Sequence, residues 1–152
     1  MQYDNDKQIY HTNAKIKINY SNPCTEFLFN CTQEYLHSGY MKDIFNYGSD
    51  ILNENEIIKS TELYMNGQPR YNEMDMVYFN KIQSLLYHKR PASLGLGTYS
   101  YCLNVDDIQP SGYCNLTKMS DIEMKIKLNK NASYDKNRPI KIRIYSRVLR
   151  KL

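Results

Sequence analysis

Three histidines, His11, His37 and His88, could serve as general bases or metal ligands, but they lie in unlike segments of the chain. No serine sits in a nucleophile elbow, and no glycine-rich loop opens a helix as a phosphate cradle requires. Asp106 and Asp107 would make a carboxylate pair for acid–base work only if they faced each other, and adjacent strand residues point to opposite faces. Cys24, Cys31, Cys102 and Cys114 include no CxxC pair and no histidine at metal-ligand spacing, so they read as reduced, structural cysteines rather than a zinc site. Asn30, Asn115 and Asn131 open Asn-x-Ser/Thr sequons, a pattern expected by chance at this composition. The expectation is a non-enzyme with no catalytic residues, no metal and no cofactor.

Charge is the stronger chemical signal. The net charge is +4, but residues 118–152 hold eleven Lys and Arg against three Asp and Glu, a surplus of +8 that leaves −4 for residues 1–117. Lys125, Lys127, Lys141, Arg143 and Arg147, projecting from one sheet face, would form a polyanion-binding patch. The same charges equally suit the solvated face of a sheet or the guarding of an edge against unwanted pairing. No aromatic stacking platform accompanies them, which favours the second reading.

The elements that must position these groups are strands. At 152 residues the chain suits a single domain over 1–152 that buries roughly two thirds of its unfolded surface. Hydrophobic residues make up 41% and charged residues 24%, with 15 Tyr and no Trp, and no apolar run approaches the roughly 20 residues of a membrane span. Residues 1–13 are polar and expected to be disordered. Ala14, Ile16, Ile18 and Tyr20 alternate with Lys15, Lys17 and Asn19 as a strand stopped at Ser21, Asn22 and Pro23, and Phe27, Leu28 and Phe29 form a compact apolar strand.

Residues 35–59 read as a long surface connection with one helical turn. Residues 61–65 alternate again and meet Asn66 and Gly67, a strong reversal signal. Met74, Val77, Tyr78, Ile82, Leu85 and Leu86 fall at helical spacing behind a possible cap at Asn72, which predicts a short helix within 72–90. Tyr99, Tyr101, Leu103 and Val105 then alternate up to the turn Gln109, Pro110, Ser111, Gly112, where the chain should reverse with Gly112 at positive φ. Ile122, Met124, Ile126 and Leu128 form the returning strand, residues 129–139 a turn-rich loop, and Ile140, Ile142, Ile144, Ser146 and Val148 a last strand.

The order Tyr99, Ser100, Tyr101, Leu103, the acidic pair, Gln109 to Gly112 and Asn115 with Leu116 resembles the closing strands of the major capsid proteins of nucleocytoplasmic large DNA viruses, where a YSF-L strand runs into QPSG and then CNFSRID. Leu63, Asn66, Gly67, Arg70 and Tyr71 match a second motif of that family, with Tyr64 and Met65 inserted before the Asn. Tyr78, Phe79, Asn80 and Gln83 keep the order of a third, Phe29 stands where the family usually has Trp, and Ile144 to Arg150 are similar to the family's closing strand.

The resemblance covers nearly the whole chain. It implies an all-β antiparallel jelly-roll sandwich, the C-terminal half of a double-jelly-roll capsid subunit, three of which form a capsomer of an icosahedral shell. Its implied partners are other capsid chains in homo- or hetero-trimers, among them a separate chain that would supply the absent first jelly roll. Its implied place is the virion, after synthesis in the host cytoplasm, with no specific nucleic acid and no membrane span. Asn66, Gly67, Arg70, Gln109, Pro110, Ser111, Gly112 and Asn115 are the motif residues. About six strands are countable where a jelly roll needs eight, so the opening strands should be missing and an edge left unpaired. The alternative is a small basic β-module binding nucleic acid or another polyanion; a carbohydrate-binding jelly roll rests on fold analogy alone.

Overall fold

The computed structural model describes residues 2–3, 7–9, 11–33, 47–48, 56–130 and 140–149. Ten strands run through them: β1 (Gln2–Tyr3), β2 (Lys7–Ile9), β3 (Asn13–Lys17), β4 (Pro23–Gln33), β5 (Ile58–Met65), β6 (Gln68–Asp75), β7 (Leu96–Ser100), β8 (Cys114–Asn115), β9 (Ile122–Leu128) and β10 (Ile140–Val148). One sheet has the order β3-β9-β5-β6. The other has β10 and β4 at its centre, with β1 and β2 sharing the outer edge of β10, and β7 and β8 sharing the outer edge of β4.

Counting each shared edge once gives two sheets of four strand positions, in chain order first-eighth-third-sixth and second-seventh-fourth-fifth. This is the order produced by rolling a long antiparallel hairpin into a sandwich, the jelly roll. The expected strand shortage is therefore corrected. The vacant outer position is filled by β1, with Gln2 opposite Ser146 and Tyr3 opposite Tyr145, and by β2, with Ile9 opposite Ile140. Segments of two or three residues give too little alternation to be read as strands, and β10 supplies the ladder that holds them. Disorder over residues 1–13 does not hold for these segments or for Asn13, which opens β3.

Alternation sets the core. Ala14, Ile16, Ile18 and Tyr20, then Ile122, Met124, Ile126 and Leu128, then Ile140, Ile142 and Ile144 all point inward and are buried, as period-two patterns with one greasy face require. Phe27 and Phe29 on β4 meet them, both fully buried. The many tyrosines take the part that Trp plays in other cores. Contacting rings run Tyr20, Phe27, Tyr101, Tyr99, Tyr71, Phe79, Phe29, each pair with centroids between 4.9 and 6.3 Å apart. Phe29, at the family's Trp place, lies on Gly97 and edge-on to Phe79.

Two further expectations are corrected. The stretch through Tyr99 is not one arm of a hairpin. The ladder with β4 continues one rung past β7, with Tyr101 N donating to Thr25 O at 2.8 Å, and resumes at Cys114 opposite Cys24. Residues 102–113 are thus an excursion from a single edge, and the following strand, β9, belongs to the opposite sheet. Backbone pairing with β4, not the Pro-Ser-Gly turn, decides where the chain goes.

The helical segment is real, but most of its predicted face is turned outward. It starts at Asp75, whose Oδ1 accepts from Val77 N at 2.9 Å, rather than at Asn72, which lies in β6. A π-helical turn (Tyr78–Gln83) leads into helix α1 (Ser84–His88). Its wider winding turns Phe79, Asn80, Gln83 and Ser84 inward and leaves Val77, Ile82, Leu85 and Leu86 exposed, so that of the face predicted from helical spacing only Met74 and Tyr78 pack against the core. The inward polar groups are satisfied: Asn80 Nδ2 donates to Ser93 O and Leu96 O, and Ser84 Oγ meets Thr98 Oγ1 on β7 at 3.2 Å. The expected connection over 35–59 and loop over 129–139 lie largely outside the described residues.

Candidate functional site

The motif residues fall on the β5–β6 hairpin, on the excursion between β7 and β8, and on β8. Asn66 and Gly67 are the two central residues of the β5–β6 hairpin, both left-handed with φ of 51° and 76°, the conformation a two-residue hairpin demands. Asn66 also reaches across to the start of β9. Its Oδ1 accepts from Ser120 N at 2.9 Å, Ser120 Oγ at 3.1 Å and Asp121 N at 3.3 Å, and its own N donates to Asp121 O at 2.7 Å. Asn115 Oδ1 accepts from Thr117 N at 3.2 Å and so caps the short 3₁₀ turn Leu116–Lys118, while Thr117 Oγ1 ties that turn to Ser21 O. An Asn at each place supplies a short acceptor that a neighbouring backbone donor can reach.

Arg70 stands over the Tyr101 ring at 6.0 Å, and while burial raises the Tyr99 phenol, the nearby Arg70 guanidinium opposes that rise. With Met65, Asn66, Tyr101, Tyr113, Cys114 and Met119 it lines a shallow concavity of about 540 Å³. Burial pushes the Tyr101 phenol far above its ordinary range, so it stays neutral. Asn66, Arg70 and Cys114, the neighbour of Asn115, thus line one concavity. Gln109 and Pro110 do not join them. They are exposed on the excursion, where Pro110 lines a separate depression with Asp106, Asp107 and Arg147. Ser111 closes the excursion on itself, its Oγ accepting from Asn104 N at 2.9 Å and donating to Asn104 O. Gly112 is at φ 156°, and a Cβ there would stand 2.8 Å from Tyr101 O, so close approach to the backbone fixes glycine at this position.

A charged cluster went unread in the sequence. Glu26 on β4 is 1% exposed, bonded to His88 Nε2 at the end of α1, with Arg147 Nη1 of β10 at 4.0 Å. His88 Nδ1 lies 3.8 Å from Asp106, and Arg147 donates to Val105 O at 3.0 Å. Desolvation raises the Glu26 carboxyl above its ordinary 4.5, against the lowering pull of His88 and Arg147. The only sequence signal was a glutamate directly before the apolar run Phe27, Leu28 and Phe29. The cluster pins α1, β4, β10 and the excursion together, a structural task.

The basic face is corrected as well. Lys125 and Lys127 lie on β9 while Lys141, Arg143 and Arg147 lie on β10, in opposite sheets, so the five cations do not share a face. Each outer β3 and β9 lysine meets an acid: Lys15 with Glu123, Lys17 with Asp121, Lys125 with Glu62 and Lys127 with Glu73. That is a mixed, solvated ladder. The cysteines are free, and burial pushes the Cys24 thiol up to about 11, which keeps it protonated and inert. Among the described residues no cluster of His, Cys, Asp and Glu could hold a metal ion, and no helix is long and apolar enough to cross a membrane.

Residues 1–142 match the family model described as large eukaryotic DNA virus major capsid protein. This chain belongs to that family. A probable capsid protein 4 of Acanthamoeba polyphaga mimivirus is 29% identical over 155 residues, covering 96% of this chain and 30% of the relative. The major capsid protein of Chrysochromulina ericina virus is 31% identical over 93 residues, 61% of this chain and 16% of the relative. This capsid-family chain therefore spans less than a third of the length of the curated relatives it matches. Among solved structures, the Faustovirus major capsid protein superposes with a TM-score of 0.79 at 12% identity, over 93% of this chain and 31% of that one. The PBCV-1 virus capsid does so at 0.69 and 16%, over 95% and 46%. At such identities the likeness establishes the fold, the same jelly roll that the strand order gives.

Proposed function

We propose that the chain is a structural unit of a large DNA virus capsid, packing as the C-terminal jelly roll of a double-jelly-roll subunit that groups in threes within an icosahedral shell. The observation that carries this reading is the closed four-on-four strand order, running through a sequence whose residues 1–142 match the capsid family. Partners are other capsid chains. Because the roll is closed by its own strands, a chain contributing a first jelly roll need supply only a neighbouring surface, not missing strands. The working parts are then the outer faces and loops of the roll rather than a cleft.

Mass spectrometry of purified particles, with cross-linking to other capsid chains, tests the proposal. The chain should be recovered from intact virions and cross-linked to a capsid neighbour. Its absence from particles, together with saturable, salt-sensitive binding of duplex DNA by the isolated protein, would replace this reading with the polyanion-binding one.

A further inference from the structure

The outward face of the helical segment is the least explained surface of the molecule. Four large apolar side chains, Val77, Ile82, Leu85 and Leu86, are between 45% and 63% exposed, while polar Asn80, Gln83 and Ser84 are buried beneath them. A helix facing only water would carry the opposite pattern. Lys81, Lys89 and Arg90 are exposed on the same segment, giving an apolar strip with a basic rim.

The end of this helix touches the excursion. Val105 N donates to Tyr87 O at 3.3 Å, and Asp106 approaches His88. There the chain presents Leu103, 78% exposed, and Ile108, fully exposed, beside the exposed carboxylates of Asp106 and Asp107. The molecule thus carries a basic apolar strip and an acidic apolar tip in contiguous positions, complementary in charge and alike in greasiness.

We propose that the two are halves of one self-complementary contact, in which the helical strip of one copy receives the 103–108 tip of a second copy and returns its own tip to that copy's strip. Because the halves are contiguous, a two-fold axis pairs them reciprocally, the isologous arrangement in which each patch meets its complement twice. The occupant is a second copy rather than a foreign chain, because the matching chemistry is already on this one. Opposite charges at the rim set register, and the buried leucines and Ile108 supply the affinity. This inference rests on the reading of the chain as a shell unit, which works through contacts with other capsid chains.

The test is complementation. In sedimentation velocity over a concentration series, the full chain should form dimers, and both Leu86→Asp and Ile108→Asp should weaken them by about tenfold or more, since each variant loses both halves of the reciprocal contact. Both positions are exposed, so unchanged thermal melting confirms that folding is intact. Mixing the two variants should recover association, because one intact strip then faces one intact tip. A chain monomeric throughout the series, variants that associate like the parent, or a mixture no stronger than its components would each overturn the inference. Recovery from virions is read separately, so a chain present in particles without helix–tip pairing sinks this inference alone, and a pairing chain absent from particles sinks the capsid reading.

Discussion

Replacing Gly97 by alanine places a methyl group against the ring of Phe29. A Cβ at Gly97 would stand 2.3 Å from Phe29 Cε2, 2.4 Å from Cζ and 2.9 Å from Cδ2, all well inside van der Waals contact. Phe29 cannot step aside, because it is fully buried on the central strand β4 with Phe79 against its edge. Overpacking of this kind costs about 1–3 kcal/mol, and the depth of overlap with a ring held on both sides argues for the upper half of that range. For a domain of this size, about 2 kcal/mol lowers the melting temperature by about 4–8 °C. The decisive measurement is a double-mutant cycle by urea unfolding. Phe29→Leu alone should destabilise by opening space, but combined with Gly97→Ala it should cost clearly less than the sum, a coupling of about 0.5–3 kcal/mol. Strictly additive effects, or a Gly97→Ala protein that melts like the parent, would refute the close approach of Phe29 to the β7 backbone.

Other positions give equally direct outcomes. Gly112→Val should cost about 1 kcal/mol or more in urea unfolding, because its Cβ would collide with Tyr101 O; an unchanged midpoint would show that the excursion relaxes freely. Asn66→Ala removes the acceptor shared by Ser120 and Asp121 and leaves alanine in a left-handed turn, so a loss of about 1–2 kcal/mol is expected, whereas Asn66→Gly, which keeps the turn, should lose only the hydrogen-bond part. Because the folded protein holds the Glu26 proton more tightly than the unfolded chain, its contribution is fully present below the unfolded value of 4.5 and is lost as pH rises through the higher folded one. Parent stability measured against Glu26→Gln should therefore improve as pH falls from neutral towards that range, and a pH-independent difference would contradict the burial of this carboxylate.

The parts of the fold legible in the sequence were those where one physical pattern acts alone. β9 and β10 alternate without interruption because one face meets the core and the other meets water, and Asn66-Gly67 closes its hairpin because almost no other pair tolerates two left-handed residues. Legibility failed where tertiary contact overrode local pattern. Tyr99, Tyr101, Leu103 and Val105 alternate like a strand, yet the ladder stops at Tyr101 because β4 takes up its next partner at Cys114. Ile82, Leu85 and Leu86 look like a core face, but the π-helical turn rotates them outward over a sheet that receives Asn80 and Ser84. Of the motif residues, Asn66 and Arg70 line one concavity while Gln109 and Pro110 stand apart from it, and Glu26 escaped notice because its partners His88 and Arg147 are 62 and 121 residues away in sequence.

The excursion between β7 and β8 has its two ends on neighbouring rungs of one strand edge, at Thr25 and Cys24. Its length is consequently uncoupled from the geometry of the sheet, since neither rung moves if residues are added between them. Loop closure grows only logarithmically, so doubling the segment would cost about 0.6 kcal/mol. A foreign peptide spliced between Ile108 and Gln109 would be carried at the exposed tip while Ser111 and Asn104 still clasp the base of the loop. The roll therefore offers an insertion point, at which added length leaves the rungs that anchor the loop unaltered.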